Sequence, residues 1–474
     1  HSCITALLCY HKINGVVTMQ EKRYNSKDEL LKKSKEAINI PFGEIDTTGR
    51  LCTAKNKGNV GQMFEECWFG RKVNSRAEAD FIELGVELKV TPCIKNKSNK
   101  YVAKERLVLN IIDYMTEVHN SFENSSFWHK NKTLLLMYYE YFKDVPISEF
   151  KILETLLYEY PEKDLIVIKQ DWEKIINKIK EGKAHELSEG DTLYLGACRK
   201  GAGGEKDLRQ QPYNSVKANQ TAYSLKESYM TYILNNYVLN QEKEESIIDN
   251  EAQLEKQGFE NYIINKIKPY FGKSQKELIK EFNLNPAMKN VNERIIAAIL
   301  GIKGNIAATE EFKKANIVPK TMRINCDNKN IKESMSFPTF KFTEIIKEEW
   351  EDSFMYNLFS STKFMFIIFK FDKNNELYLD NIKFWNMPVN DIEEVHKVWA
   401  ETVKVIKEGV VITNANGRAF NNLPGQSFNN VSHVRPHGQN KSDTYELPDG
   451  RKLTKQCFWL NNKYVLEQIL YKEV

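Results

Sequence analysis

The second half of the chain repeats the order of motifs found in the first half, which favours a fold built from two copies of one domain. Asn59-Val60 recurs as Asn290-Val291 at an offset of 231 positions. Further pairs follow in the same order and at nearly the same separation: Phe69-Gly70 with Leu300-Gly301, Trp172 with Trp399, and Tyr223-x-Leu225 with Phe458-x-Leu460. One such pair could arise by chance, whereas an ordered series indicates a duplicated unit.

A charged segment that is poor in large apolar residues, residues 240–258, separates the two copies and is a candidate linker. In each copy, amphipathic helical patterns alternate with short strand-like runs, which predicts a mixed α/β fold. We expect one domain at residues 19–239 and the second at residues 259–474. Residues 1–18 have a short apolar patch without a preceding basic segment, and we interpret them as a leader outside the fold.

The composition restricts the class of partner only weakly. A net charge of +4 over 474 residues permits nucleic acid as a partner without requiring it. The eight cysteines form no CxxC pair, which indicates reduced thiols in a cytoplasmic protein rather than disulfides or zinc ligands. No apolar run approaches the roughly 20 residues that cross a bilayer, so we expect no membrane partner.

The segment DFIELGVELKVTP, residues 80–92, places three charged residues in an apolar run typical of a strand. Because side chains alternate between the two faces of a strand, Glu87 and Lys89 share one face. Gly85 permits a sharp turn, so that Asp80 can fold back beside Glu87. Two carboxylates and a lysine could bind magnesium and act on a water that attacks a phosphodiester. The pattern is also common on solvated strand faces with an ion pair, and taken alone it favours that second interpretation.

Two neighbouring segments offer further charged groups. Apolar residues between Val60 and Trp68 follow the spacing of a core-facing helix, and Glu65 and Glu66 flank its apolar stripe on either side. Downstream, His129-Lys130 precedes an apolar run and supplies another cation.

These residues carry a resemblance to a known family. DFIELGVELKVTP resembles the active-site segment of the MutH-like nucleases, which have the PD-(D/E)xK fold. The similarity continues through three further segments: KERLVLNII (104–112), KAHELSEGDTLYLGACRKGA (183–202) and SLKESYMTYIL (224–234). Together with the second, degenerate copy, the chain resembles the GATC-cutting type II restriction endonucleases of the Sau-three-A-I type.

The resemblance implies a set of site residues and a cofactor. Asp80 and Glu87 would bind Mg²⁺, and Lys89 would act on the attacking water. A glutamate of the preceding helix and Lys130 would complete the site. The stretch from Gly61 to Gly70 is one residue longer than the family pattern. Counting back from Gly70 selects Glu66 and counting forward from Gly61 selects Glu65, and we expect Glu66.

The second copy has lost most of these groups. At the 231 offset the counterparts of Glu66, Asp80, Glu87 and Lys130 are Ala297, Glu311, Val318 and Ser361, and only Lys89 is retained, as Lys320. We therefore expect the second copy to be catalytically inactive.

Both copies keep a basic loop where the family reads its DNA sequence. Arginine and lysine suit guanine edges and phosphates in the major groove. The candidate DNA-binding residues are Arg199, Lys200 and Lys226 in the first copy and Arg435 and His437 in the second. An inactive domain that still binds DNA implies an effector role, in which a second GATC site promotes cleavage by the first domain.

The resemblance further implies double-stranded DNA containing GATC as substrate, a dimer on DNA, and a cognate GATC methyltransferase in the same system. A MutH-like mismatch-repair nicking enzyme and a non-catalytic GATC-binding protein are the alternatives. The degenerate second copy argues against the first alternative, since MutH has a single domain. The retained carboxylate pair argues against the second, because it would repel phosphate in a pure DNA binder.

Overall fold

The chain forms two compact units. A computed structural model describes residues 10–13, 16–19, 21–52, 58–73, 77–201, 204–240, 244–415 and 418–470. Unit 1 comprises His1–Ala184 and Ala197–Lys243, and unit 2 comprises His185–Gly196 and Glu244–Val474. These bounds differ from the sequence-based domains in two places, because residues 185–196 and 244–258 belong to unit 2. Residues 244–258 are therefore not only a linker: Ile247 is buried, and Asn250 caps a helix by accepting a hydrogen bond from Gln253.

The helices and strands of unit 1 are as follows. The helices are α1 (Lys27–Lys35), α2 (Phe42–Ile45), α3 (Asn59–Met63), α4 (Tyr114–Glu117), α5 (Ser126–Asn131), α6 (Glu162–Lys180) and α7 (Glu227–Ile233). The strands are β1 (Tyr10–Ile13), β2 (Val16–Met19), β3 (Glu87–Lys95), β4 (Tyr101–Ala103), β5 (Leu107–Ile111), β6 (Thr133–Glu140), β7 (Ile152–Glu159), β8 (Leu195–Arg199), β9 (Leu208–Gln211), β10 (Asn214–Asn219) and β11 (Thr221–Leu225). Single π-helical segments, Phe64–Trp68 and Leu234–Val238, continue α3 and α7.

Unit 1 has two main sheets. The larger has the strand order β4-β3-β6-β7, in which β3 and β6 are parallel and the outer pairs are antiparallel. The smaller has the order β5-β11-β8, with the residues of β8 from Ala197 onward belonging to unit 1. Strand β6 is buried along almost its whole length, as expected for a strand covered on both faces. The leader predicted for residues 1–18 lies partly outside the described residues, and its described part is the antiparallel pair β1–β2.

Unit 2 contains the remaining elements. Its helices are α8 (Glu251–Gln257), α9 (Phe259–Ile267), α10 (Gln275–Glu281), α11 (Val291–Ile299), α12 (Glu310–Ala315), α13 (Phe342–Ile345), α14 (Phe354–Ser361), α15 (Val389–Glu408) and α16 (Asn462–Leu470). Its strands are β12 (Ile317–Ile324), β13 (Ser336–Phe340), β14 (Lys363–Phe371), β15 (Leu377–Trp385), β16 (Ile412–Ala415), β17 (Arg418–Asn421), β18 (Ser432–Pro436), β19 (Thr444–Glu446), β20 (Lys452–Thr454) and β21 (Gln456–Leu460).

The sheets of unit 2 repeat those of unit 1. The order β12-β14-β15 matches β3-β6-β7, with a parallel pair followed by an antiparallel pair. The order β13-β21-β18 matches β5-β11-β8. Trp172 on α6 and Trp399 on α15 are both buried at equivalent points of their units. The mixed α/β class and the tandem duplication predicted from the sequence are confirmed.

Unit 1 buries a large aromatic and aliphatic cluster beneath its main sheet. Phe64, Phe69 and Phe81 are completely buried there, together with Val86 at the entry to β3. This packing fixes the helix that carries Glu65 and Glu66 against the strand that carries Glu87. Among the described residues, no helix is both long enough and apolar enough to cross a membrane.

Candidate active site

The turn before β3 brings Asp80 beside Glu87. Phe81 and Val86 exchange backbone hydrogen bonds of 2.9 and 3.3 Å across this turn, and Gly85 adopts the left-handed conformation, with φ +63°, that closes it. The Asp80 carboxylate accepts a hydrogen bond from the Leu88 amide at 3.0 Å, and the Asp80 amide donates to Glu87 Oε2 at 3.2 Å. The two carboxylates therefore meet at the start of the strand, as the seven-residue spacing predicts.

Two lysines converge on Glu87 from different elements. Lys89 lies two residues further along β3, and its Nζ donates to Glu87 Oε1 at 2.9 Å. Lys130 on α5 places its Nζ 3.6 Å from the same oxygen. Glu87 is only 3% exposed, so these two cations compensate a charge that is removed from water. The structure thus brings together four of the residues selected from the sequence: Asp80, Glu87, Lys89 and Lys130.

For the helix glutamate that would complete the site, the structure favours Glu65 over the expected Glu66. The Glu66 carboxylate accepts a hydrogen bond from Arg50 Nε at 2.6 Å and is turned away from the acidic pair. Glu65 is buried, and the negative charges of Asp80 and Glu87 act on it.

A π-helical turn explains why the helix phase could not settle this choice. The Phe69 amide donates to the Phe64 carbonyl, five residues earlier, at 3.0 Å. Such a turn accommodates one extra residue in a helix, which matches the one-residue excess between Gly61 and Gly70. Both glutamates lie within this turn, so the spacing of an ordinary α-helix does not predict which of them faces β3.

Crowding of the carboxyl groups raises their proton affinity. Burial, followed by the charges of Asp80 and Glu87, raises the pKa of Glu65 to about 8. Burial and the charge of Glu87 raise the pKa of Asp80 to about 6. Carboxyl groups with mutually raised pKa values, placed beside lysines, are typical of functional sites.

Arg71 is a residue of this site that the sequence analysis did not select. One of its terminal nitrogens donates to the Asp80 carbonyl at 2.8 Å, and the other donates to the Lys22 carbonyl at 3.0 Å. It also pairs with Glu83 at 3.2 Å and is itself buried. Arg71 therefore holds the main chain of the catalytic turn. No spacing pattern in the sequence marks it, because its partners are carbonyl groups.

The carboxylates of Asp80 and Glu87 fit a magnesium ion. Mg²⁺ in enzymes is typically bound by one or two carboxylates, several waters and substrate phosphate oxygens. Among the residues that the structure describes, no group of three or more His, Cys, Asp or Glu side chains has the arrangement of a complete protein-only metal site. The two-carboxylate arrangement does not require such a group, and a cation at this position would offset the burial of Asp80 and the charge of Glu87, which together raise the pKa of Asp80.

Unit 2 lacks the corresponding acidic cluster. Val318 occupies the position of Glu87 at the start of β12. Glu311 is completely buried and accepts hydrogen bonds from Ser246 Oγ at 2.5 Å and the Ile247 amide at 3.0 Å. The pairing of β12 with β14 places Val318 opposite Phe364, whereas Glu87 lies opposite Leu134. This register makes Ser360, rather than Ser361, the counterpart of Lys130.

The candidate DNA-binding residues of unit 1 have different environments. Arg199 and Lys200 are exposed at the end of β8. Lys226, in contrast, is only 2% exposed at the start of α7. A buried side chain does not reach a phosphate in this conformation, and the assignment of Lys226 to the DNA surface stays a prediction.

The candidate DNA-binding residues of unit 2 are arranged around Trp459. Arg435 and His437 are both exposed. The Arg435 guanidinium lies 3.8 Å from the centre of the Trp459 ring, and the His437 ring meets the same indole edge-on at 5.1 Å. His433 is buried and bonds Asn461 at 2.6 Å.

Comparisons with known proteins agree with this geometry. The family described as DNA mismatch repair enzyme MutH matches residues 69–171, which include β3, α5 and β6. The type II restriction enzyme Sau3AI of Staphylococcus aureus is 41% identical over 94% of this chain and 99% of its own length.

MutH proteins match less than half of the chain. The DNA mismatch repair protein MutH of Shewanella woodyi is 32% identical over 35% of this chain and 73% of its own length. That of Shewanella baltica is 31% identical over 44% of this chain and 93% of its own length. The similarity to the restriction enzyme extends over nearly the whole chain, and the chain belongs to the family of type II restriction enzymes that includes Sau3AI, with a nuclease domain of the MutH type in its first half.

Proposed function

We propose that unit 1 hydrolyses DNA phosphodiesters at GATC with Mg²⁺, and that unit 2 binds a second GATC-containing duplex as an effector. The observation that carries the catalytic part is the convergence of Asp80, Glu87, Lys89 and Lys130 at one end of β3. The proposal that GATC is the target sequence is supported by the resemblance to GATC-cutting enzymes. The proposed effector role of unit 2 is supported by its exposed basic residues Arg435 and His437.

Each residue of the site has a distinct proposed role. Asp80 and Glu87 would hold the metal, which when bound supplies a Lewis acid and lowers the pKa of a coordinated water. Lys89 is placed to orient the attacking water and to stabilise the negative charge that develops on the phosphoryl oxygens. Lys130, which shares Glu87 Oε1 with Lys89, would keep that carboxylate in position. Glu65 replaces Glu66 as the proposed helix contribution, because only its carboxyl group faces the cluster.

The proposal extends to partners and location. One intact active site per chain requires two chains, or two successive events, to cut both strands, so we infer a dimer on DNA. A nuclease specific for a short sequence also requires a cognate GATC methyltransferase to protect the host DNA, and a cytoplasmic location where that DNA lies.

Plasmid cleavage tests the catalytic part directly. With Mg²⁺ and a plasmid carrying several GATC sites, the wild-type protein should give linear fragments. Replacing Lys89 with alanine should lower the rate about 10²–10³-fold, the usual cost of removing one preorganised charge-stabilising group, while binding of a GATC duplex is retained. Nicked circles as the end product would support the mismatch-repair type of activity instead. DNA that is bound but never cut would contradict both enzymatic readings.

The proposed effector role of unit 2 is tested with a plasmid that carries one GATC site instead of several. A plasmid with one GATC site should be cut slowly, and a short GATC duplex added in trans should accelerate the reaction. A scrambled duplex of equal length is the matched control. Equal rates with both duplexes would contradict the effector role and leave the catalytic assignment untouched.

A further inference from the structure

Unit 2 has a cleft that includes one counterpart of the unit 1 site residues, Lys320. It is a cavity of about 460 Å³ between the first turn of α11 and strand β12. The charged residues that line it are Lys289, Glu293, Lys320, Arg323 and Glu333. Lys320 is the retained counterpart of Lys89, and α11 is the counterpart of the helix that carries Glu65.

The surroundings of Lys320 in unit 2 are less acidic than those of Lys89 in unit 1. In unit 1, Lys89 donates to Glu87 at 2.9 Å. In unit 2, Val318 replaces that glutamate, and Glu311 is held by Ser246 and the Ile247 amide instead of facing the cleft. Among the described residues, the Lys320 side chain forms no salt bridge, and Glu293 is the acid with which it interacts electrostatically.

The other charges of the cleft leave an excess of positive charge. Arg323 pairs with Glu333 at 2.5 Å, so these two charges offset each other. Lys289 is exposed and, like Lys320, has no ion-pair partner within the described part of the chain. Glu293 is the remaining acid, and burial raises its pKa although Lys320 acts in the opposite direction.

The helix that borders the cleft adds to this potential. Asn290, the N-cap residue of α11, makes no side-chain capping hydrogen bond. The first-turn amides of a helix carry partial positive charge and favour anions, most of all phosphate. Asn290, Asn292 and Glu293, all in this turn, line the cavity.

We propose that this cleft binds a phosphate group directly, through Lys320, Lys289 and the first turn of α11, without a metal ion. The carboxylate pair that would bind a metal in unit 1 is absent here, and a lysine that forms no salt bridge to a described residue is left to meet the anion itself. The phosphate could belong to the backbone of the effector duplex, in which case the inference rests on the proposed effector function, or to a small phosphate such as inorganic phosphate. The shared chemistry is a tetrahedral oxyanion in a cationic cleft.

The duplex arm of the test measures how salt weakens DNA binding. The full-length chain is titrated with a GATC duplex in EDTA at several salt concentrations. Each phosphate contact contributes about 0.9 to the slope of log K against log salt concentration. Lys320→Gln should reduce the slope by about that amount and weaken binding about three- to tenfold, whereas Lys320→Arg should restore both. Lys347→Gln, which removes an exposed lysine of the same unit outside the cleft, is the matched control and should change neither.

The small-ligand arm uses inorganic phosphate alone. Thermal unfolding is compared in phosphate and in chloride at equal ionic strength. A free-anion site predicts that phosphate stabilises the wild-type protein and Lys347→Gln but not Lys320→Gln. An effect in the duplex arm alone identifies a backbone phosphate, and an effect in the phosphate arm alone identifies a small anion. If Lys320→Gln matches the wild type in both arms, the proposal is overturned.

A separate measurement distinguishes failure of the nuclease proposal from failure of the phosphate-binding proposal. Magnesium-dependent plasmid cleavage is measured on the same preparations. Absence of cleavage by the wild-type protein would refute the nuclease proposal, while a Lys320-dependent phosphate effect would still support the cleft.

Discussion

Replacing Glu65 with glutamine should stabilise the protein at alkaline pH and impair cleavage. Burial and the charges of Asp80 and Glu87 raise the pKa of Glu65 from 4.5 to about 8. In the intermediate pH range the folded chain keeps a proton that the unfolded chain releases. The favourable contribution is therefore complete below pH 4.5 and is lost as the pH rises through about 8. Glutamine has no charge to repel its neighbours, so the variant escapes this loss.

The pKa shift sets the size of the effect. A tenfold change in proton affinity corresponds to about 1.4 kcal/mol, so the ceiling for Glu65 is about 5 kcal/mol. The net gain is smaller than this ceiling, because Asp80, one of the charges that act on Glu65, has a raised pKa of about 6 itself. We expect a net gain of about 1–3 kcal/mol, which shifts the unfolding temperature of a domain of this size by about 3–10 °C.

The assay is thermal unfolding of the full-length chain in EDTA at about pH 5 and about pH 8.5. Glu65→Gln should raise the midpoint at the higher pH and change it little at the lower pH, where Glu65 is already largely protonated. Glu66→Gln is the matched control. It removes the partly exposed ion pair with Arg50 and should lower stability by no more than about 1 kcal/mol at both pH values. The reasoning would be refuted if Glu65→Gln gave no gain at the higher pH, or if Glu66→Gln gave the larger gain.

Further predictions concern pH, positioning and DNA contact. Metal binding requires ionised carboxylates, and the pKa of Asp80 is raised to about 6. The Mg²⁺ concentration for half-maximal cleavage should therefore fall as the pH rises through that value. An unchanged Mg²⁺ requirement across that range would contradict the proposal that Asp80 binds the metal. Arg71→Ala should raise the Mg²⁺ requirement more than it lowers the rate at saturating Mg²⁺, since Arg71 holds the Asp80 main chain and not the substrate. Trp459→Leu should weaken effector-duplex binding about two- to fivefold through the lost cation–π contact with Arg435, which is measurable by fluorescence anisotropy against Trp128→Leu in unit 1.

The sequence predicts the parts of the site that depend on strand periodicity. Glu87 and Lys89 share a face because the period of a strand is two, and Gly85 marks the turn that returns Asp80 to Glu87. Both relations are local, since they involve residues within one turn and strand. The duplicated motifs predict that the two units share one strand order, because similar sequences adopt similar folds, but not which order it is.

The remaining parts depend on contacts that no local pattern encodes. In an ideal α-helix, Glu65 and Glu66 would lie equally close to the apolar face. The π-helical turn at Phe64–Trp68, closed by the hydrogen bond from the Phe69 amide to the Phe64 carbonyl, changes the directions of these side chains. The sequence makes Lys226 a candidate for DNA contact, but tertiary packing buries it. No sequence pattern identifies Arg71 as part of the site, because it binds the backbone carbonyls of Lys22 and Asp80, and any residue type has such a carbonyl.

The two units show how a few substitutions change the chemistry of one scaffold. Unit 1 gathers acidic groups around its strand lysine, and burial, followed by the charges of neighbouring carboxylates, raises the pKa values of Glu65 and Asp80. In unit 2 the strand and the lysine persist, but one carboxylate has become Val318 and another, Glu311, is used to hold the chain at Ser246 and Ile247. The lysine thus changes from a group that works beside a metal to the main cation of the cleft. Under the two proposals, both arrangements would attract phosphate, one through a bound cation and one through the protein's own charge, so that loss of catalysis in the second unit would be compatible with continued recognition of DNA.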